Sequence, residues 1–297
     1  MKKILVTGMN GQVGFELMKT LAPLGKVIGV DVKECDLAQS AMIDALLDRV
    51  KPDIIVNPAA YTAVDKAESE PTVAHAINAQ APKTLARQAS RRNIPIIHFS
   101  TDYIFDGTKE ESYVEDDTPN PKSVYGKTKW LGEEAVRQNA AKHVILRTSW
   151  VFGAHGVNFL KTMLKLSKER DKMSIVSDQI GAPTSARMLA EVTAEIVKQL
   201  LQEFSYRKYG TYHLVADGET SWYGYARYVV EQANALGMET KLTPKKIKAI
   251  KTKDFPLPAA RPANSRLDTA KVKETFGVTL PTWQSEVDLV LSELIKA

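Results

Sequence analysis

Two residues four apart, Tyr125 and Lys129 in "SVYGKTKWLGEEA" (123–135), have the types and spacing to deliver a proton to an oxyanion. On a helix, positions i and i+4 share a face, so a phenol and an ammonium there can reach one site. A ketone that receives a hydride becomes an alkoxide and needs a proton. The phenol can supply it, and a fixed cation beside it lowers its pKa from a reference value of about 10. The same stretch also reads "GKT" at Gly126, Lys127 and Thr128, the tail of a phosphate-binding P-loop. That reading fails: a P-loop needs a glycine where this chain has Pro121, and a buried strand where it has "EESYVEDDTPNPK".

A hydride donor must be held near such a pair. The first apolar run ends in "GMNGQVG", which spaces Gly8, Gly11 and Gly14 evenly as a helix opens, with Asn10, Gln12 and Val13 between them. A glycine turn at a helix N-terminus brings backbone N–H groups and a positive partial charge to a pyrophosphate. Asp31 ends the second apolar run, 23 residues after Gly8, where a carboxylate accepts hydrogen bonds from adenosine ribose hydroxyls. Asp31 favours NADH by repelling a 2′-phosphate, whereas Lys33 offsets that repulsion, so the choice between NADH and NADPH stays open. After the third run come Ala59, Ala60 and Tyr61, small residues that let a flat ligand approach the backbone or simply make a tight turn. The fourth run ends in Ser100, Thr101 and Asp102. A hydroxyl there can hold a substrate carbonyl, although the triplet suits a turn or helix cap equally well.

The elements that must position these residues alternate. Apolar runs at 3–8, 26–31, 53–59, 94–101 and 143–150 read as strands, and amphipathic segments at 12–24, 39–50, 71–92 and 125–140 as helices. That order predicts an α/β fold, a Rossmann doubly wound parallel sheet with ligand sites beyond the carboxyl ends of its strands. Every motif above falls at such an end. The second half is less regular, with helices expected near 157–168, 185–203, 221–236 and 282–296 and a strand at 210–216. We therefore expect a nucleotide-binding domain over 1–152, to whose sheet the strand at 210–216 can return, and a smaller α/β substrate lobe over 153–297.

Composition is that of an ordinary globular protein: 297 residues, 44% apolar, 25% charged. The net charge of +5 comes from scattered lysines, and the densest basic run, 243–254, carries few aromatics and no nucleic-acid motif. No nucleic-acid partner is expected. The apolar start of the chain is too short for a signal peptide or a membrane span, so no membrane association and a cytoplasmic location are expected. A lone cysteine, Cys35, makes no intramolecular disulfide and reads as a bystander in a polar segment; the five histidines lack metal-ligand spacing.

Taken together, "VTGMNGQVG", "NPAAYTAVDKAE", "STDYIFDG", "PNPKSVYGKTKWLGEEA", "LRTSWVFG", "SDQIGAPT" and "RPANSRLD" resemble the extended short-chain dehydrogenase/reductases, and among them the dTDP-4-dehydrorhamnose reductase family, over nearly the whole chain. The resemblance implies NADPH- or NADH-dependent reduction of a dTDP-sugar ketone, with Thr101, Tyr125 and Lys129 as the catalytic triad. It implies cofactor contacts at Gly11, Gln12, Val13, Asp31, Asp36, Leu37 and Ala59 to Tyr61. On the sugar-nucleotide side it implies Thr101, Asp102 and Trp150, with Asn158, Gln179 and Arg261 as further candidates. It leaves open an epimerase of the same fold, a non-catalytic NADP-binding regulatory subunit, and assembly as a homodimer. Magnesium dependence is also implied, yet no three-carboxylate site can be placed. Arg187 stands where a ligating acid would be useful, and Glu16 and Glu191 lie on amphipathic helices.

Overall fold

The computed structural model describes residues 1–202 and 208–296. The first half supplies β1 (Lys3–Thr7), β2 (Lys26–Val30), β3 (Ile54–Asn57), β4 (Ile96–Thr101) and β5 (His143–Thr148). Between them run α1 (Gln12–Thr20), α2 (Ser40–Val50), α3 (Val64–Ala67), α4 (Pro71–His75), α5 (Ala81–Arg91) and α6 (Val124–Asn139). The second half adds β6 (Val151–Phe152), β7 (Met173–Val176), β8 (Ile180–Gly181), β9 (Thr184–Ser185), β10 (Gly210–His213), β11 (Thr220–Ser221) and β12 (Ile247–Ile250). Its helices are α7 (Phe159–Glu169), α8 (Ala186–Gln202), α9 (Trp222–Ala235), α10 (Ala270–Phe276) and α11 (Trp283–Lys296). The expected helix at 185–203 thus runs to Gln202, and residue 203 lies outside the described residues; α10 was not expected.

Six strands form one parallel sheet in the order β2-β1-β3-β4-β5-β10. The strands are apolar without interruption because both faces are covered. Ile4, Val6, Ile54, Val56 and Phe99 face a core shared with Leu17 of α1 and Leu189 and Ile196 of α8. Leu5, Ile55, Ile96 and Ile145 face Ile43 and Leu47 of α2 and Leu85 of α5. The order reverses about β1, which puts the topological switch point at the carboxyl end of β1, where the glycine turn lies.

The strand expected at 210–216 does return to the sheet, beside β5, and α8 lies on α1, where Thr20 Oγ1 donates to the Ala190 carbonyl at 3.2 Å. The remaining strands make small ladders, β6 with β9, β7 with β12 and β8 with β11.

One element departs from expectation in an informative way. The segment 71–92 is not a uniform α-helix: a π-helical turn, Ala76–Gln80, separates α4 from α5. Pro82 has no N–H for the Asn78 carbonyl four residues back, which favours the wider turn. Gly132 of α6 fits against that carbonyl, since a Cβ there would lie 2.1 Å from it. The bulge therefore lets α6 approach closely.

Candidate active site

The glycine turn is built by close backbone approach. Gly8 has φ +60, the left-handed region, and a Cβ on Gly14 would lie 2.0 Å from the Gly8 carbonyl oxygen. Gly11 N–H donates to that carbonyl at 3.0 Å. The turn opens a cleft of about 490 Å³, lined by Gly8, Asn10 to Gly14, Asp31, Asp36, Leu37, Ala59 and Ala60, and at its other end by Tyr125 and Lys129. Asp31 is fixed at the mouth: Asn10 N–H donates to Oδ2 at 3.0 Å and Val32 N–H to Oδ1 at 2.8 Å. Asp36 is held likewise by Ala38 N–H and the Gln39 amide. A glycine cradle, a fixed carboxylate and a cleft running from β1 to β4 fit a dinucleotide.

The second half of the chain reaches over this turn. His155 Nε2 lies 2.8 Å from the Asn10 carbonyl, its ring stacked on Phe15, and Gly156 and Val157 line the cleft.

At the far end, α6 carries the reactive pair. Ser123 caps the helix by accepting from Gly126 N–H at 3.1 Å. Gly126 itself explains the misleading "GKT": a Cβ there would lie 2.2 Å from the Tyr103 carbonyl oxygen, so the glycine serves helix packing. Tyr125 and Lys129 are both buried and line the cleft one turn apart. Burial pushes the Tyr125 phenol up to about 12, with hydrogen bonding by Thr101 working the other way. The expected depression of the phenol by Lys129 is therefore not what this site shows, because desolvation dominates. Lys129 Nζ instead donates to the Phe99 carbonyl at 2.6 Å, and burial lowers its pKa to about 8 against the pull of Glu133.

Thr101 ends β4, donating to Asp102 Oδ1 at 3.0 Å and accepting from Tyr103 N–H at 3.2 Å. Burial pushes the Asp102 carboxyl up to about 6, with the hydrogen bond from Thr101 opposing it.

Other candidates fall elsewhere. Tyr61 does not line the cleft: its hydroxyl donates to Glu70 at 2.6 Å, and its backbone is clasped by the Asn78 amide. Asn158 caps α7 and spends its amide on Gln12 Oε1 and the Gly153 carbonyl. Gln179 donates to Thr252 Oγ1 at 3.1 Å. Trp150 takes a left-handed backbone, φ 49, and stacks on Trp222 with centroids 3.8 Å apart, while Gly181 closes against its ring edge. Arg261 pairs with Asp65 at 2.7 Å and, with Lys122, Ser123 and Tyr103, lines a separate cavity of about 100 Å³. Tyr103 meets Tyr125 edge-on at 5.4 Å, so this cavity adjoins the reactive phenol.

Asn78 escaped sequence reasoning. It ties the loop after β3 to α6 through Tyr61 and Thr128, and the proline one turn later in "INAQAP" was the available signal. Cys35, expected as a bystander in a polar segment, is buried in the core and lines the cleft.

The described residues do not fit a magnesium ion: no group of three His, Cys, Asp or Glu side chains among them could hold one. Glu16 pairs with Lys19, and Glu191 with Arg187. Nor is any described helix long and apolar enough to cross a membrane.

A parallel doubly wound sheet, a glycine cradle at its switch point and a buried tyrosine–lysine pair across the cleft define an NAD(P)H-dependent oxidoreductase. The chain belongs to the family described as RmlD substrate binding domain, which it matches over residues 1–296. It is 45% identical to dTDP-4-dehydrorhamnose reductase of Escherichia coli (strain K12), over 98% of this chain and 97% of that one. Among solved structures it is similar to a dTDP-4-dehydrorhamnose reductase of Clostridium acetobutylicum, with TM-score 0.90, 36% identity and coverage of 98% and 99% of the two chains. The Bacillus anthracis dTDP-4-dehydrorhamnose reductase, in complex with NADP, superposes with TM-score 0.90 at 33% identity, over 99% of this chain and 100% of that one.

Proposed function

We propose that this chain reduces the C4 ketone of dTDP-4-dehydro-β-L-rhamnose to dTDP-L-rhamnose with NADH or NADPH, the last step of dTDP-rhamnose biosynthesis. The observation that carries this reading is the buried Tyr125–Lys129 pair across the cleft from the glycine turn, in a chain nearly co-extensive with relatives bearing that name. When bound, the reduced nicotinamide supplies the hydride. Tyr125 donates its phenolic proton to the C4 oxygen, which Thr101 orients by hydrogen bonding. Lys129 holds a positive charge beside the developing oxyanion and a donor toward the nicotinamide ribose. A phenol near 12 stays protonated at neutral pH, the state a donor requires. The intact triad speaks against a regulatory subunit.

For the cofactor, the turn from Gly8 to Gly14 cradles the pyrophosphate, Ala59 and Ala60 flank it, and Asp31 receives the adenosine ribose. NADH is the preferred donor. Asp31 is locked by two backbone bonds and Glu34 Oε2 accepts from Asp31 N–H at 2.9 Å, whereas Lys33 does not line the cleft.

For the substrate, Asp102 and Trp150 face the sugar, and Arg261 with Lys122 takes the diphosphate, a chemistry suited to their charge. Asn158 and Gln179 act by positioning their neighbours. The lobes divide near residue 152, with α8 and β10 rejoining the first. A single cysteine suits the reducing cytoplasm.

The test is oxidation of NADH and NADPH in parallel by the purified protein, with dTDP-4-dehydro-β-L-rhamnose generated in situ and Tyr125→Phe as control. Tyr125-dependent oxidation with formation of dTDP-L-rhamnose is expected. Cofactor binding without turnover overturns the reading in favour of another nucleotide sugar or a regulatory role, and sugar conversion without net oxidation favours an epimerase.

A further inference from the structure

Among the described residues, six buried side-chain polar atoms have no hydrogen-bond partner: His98 Nε2, Ser100 Oγ, Asp102 Oδ2, Thr148 Oγ1, His213 Nδ1 and Tyr225 Oη. Three of them, on Ser100, Asp102 and Thr148, belong to the carboxyl-terminal residues of β4 and β5 or the position just after. An unpaired polar atom in a protein interior destabilises the fold, and native chains avoid it. Such a concentration at one edge of one sheet marks groups kept for a partner from outside the chain.

Two of the three, Ser100 and Thr148, also line the cleft. Both are more than nine-tenths buried, with 5% and 8% of their surface exposed. In the β4–β5 register Thr101 stands opposite Thr148, so Ser100 and Thr148 are diagonal neighbours pointing to opposite faces of the sheet. Between them lies the Phe99 to Thr101 backbone, whose first carbonyl holds the Lys129 ammonium. The two hydroxyls therefore flank the reactive end of the cleft, whereas the glycine turn and Asp31 occupy the other end.

We infer that Ser100 and Thr148 are hydrogen-bonding ligands of the nicotinamide half of the cofactor. This rests on the reading that the cleft takes NADH or NADPH. With the pyrophosphate at β1 and the adenosine at β2, only the nicotinamide nucleoside reaches β4 and β5. Its carboxamide offers two N–H donors and one acceptor, and its ribose offers hydroxyls. A serine or threonine hydroxyl can answer either kind of group, donating or accepting. The unpaired hydroxyls thus trade stability of the protein alone for placement of the ring beside Tyr125.

The experiment compares Ser100→Ala, Thr148→Val and the double variant with the parent, using NADH and ADP as probes in calorimetric titrations and melting curves of the protein alone. Because neither hydroxyl has a partner among the described residues, the melting temperature without ligand should be unchanged or up to about 4 °C higher. The NADH dissociation constant should rise about fivefold in each single variant and about twentyfold in the double, while ADP, which lacks the nicotinamide half, binds as before. Unchanged NADH affinity in the double variant overturns the inference. So does equal weakening of NADH and ADP, which would indicate a general disturbance of the cleft. Failure of the parent protein to bind NADH is a separate result: it removes the cofactor reading, and this inference with it.

Discussion

Burial sets the charge state of both members of the reactive pair, and in opposite senses. It holds Tyr125 protonated, near 12, and brings Lys129 down to about 8, so the group that titrates within reach of neutral pH is the lysine. Reduction should therefore fall as pH rises through about 8, with Tyr125 still protonated on both sides of that limb. Lys129→Arg, which stays charged, should move the fall upward in whatever rate remains; an unmoved limb would assign it to another group. A lysine with a depressed pKa burdens the fold below that pKa, and the burden lifts as pH rises from about 8 toward the ordinary lysine value. Lys129→Met should accordingly melt higher than the parent at pH 7, with the gain shrinking toward pH 10, while activity is lost; a gain independent of pH would refute the desolvation argument. Tyr125→Phe should lower kcat by roughly 10²- to 10⁴-fold with little change in cofactor affinity, and a parental rate would refute its role as donor. Asp31→Ala should weaken NADH more than NADPH, and equal loss would remove Asp31 from cofactor selection. At this scale the sequence showed that Tyr125 and Lys129 meet at the cleft but not how strongly each is buried. Y-x-x-x-K fixes a helical face, whereas the balance of desolvation against charge depends on neighbours such as Phe99 and Glu133, which spacing does not reveal.

The elements explain why the pair sits where it does. Helix α6 is pressed into place at two glycines, Gly126 against the Tyr103 carbonyl and Gly132 against the Asn78 carbonyl. Both contacts are backbone atoms that cannot swing aside. Gly126→Ala should destabilise the protein by about 1–3 kcal/mol in denaturant melts, and should lower kcat beyond the effect on folding, because Tyr125 is its immediate neighbour on the helix. A variant with parental stability would show that α6 has room to shift. Strands and helices of the first half were legible because a parallel sheet covered on both faces demands continuous apolar runs, and those runs stand out. The π-helical turn was not, because a proline inside an amphipathic pattern leaves the periodicity of 71–92 nearly intact. Its effect is a freed carbonyl and a close helix contact, features of packing. The same limit applies to Asn158 and Gln179: their amides look available in the sequence, and only tertiary contacts show them already committed.

On the scale of the whole molecule, the chain does not divide into two pieces that fold separately. Helix α8 covers the face of the sheet that α1 leaves open, and β10 completes its edge beside β5. Leu189, Val192, Ile196, Val197 and Leu200 of α8, with Tyr212 and Leu214 at β10, share one core with Ile4 and Val6 of β1. Removing everything after residue 152 would uncover these contacts on one face and the edge of β5 together. Each buried aliphatic side chain contributes about 1.5–3 kcal/mol, and a domain of this kind has only about 5–15 kcal/mol in total. The fragment 1–152 should therefore fail to fold cooperatively, showing broad melting and binding of a hydrophobic dye, even though it carries the glycine turn, Asp31 and the Tyr125–Lys129 pair. A second fragment, 1–152 linked to 186–216, restores the missing face and edge and should recover a cooperative transition. If 1–152 melts cooperatively by itself, the returning helix and strand are accessories to a self-sufficient sheet. If the linked fragment gains a sharp transition and NADH binding while lacking turnover, the cofactor half is defined by space and not by sequence order, and the rest of the second half is what brings the sugar nucleotide to Tyr125.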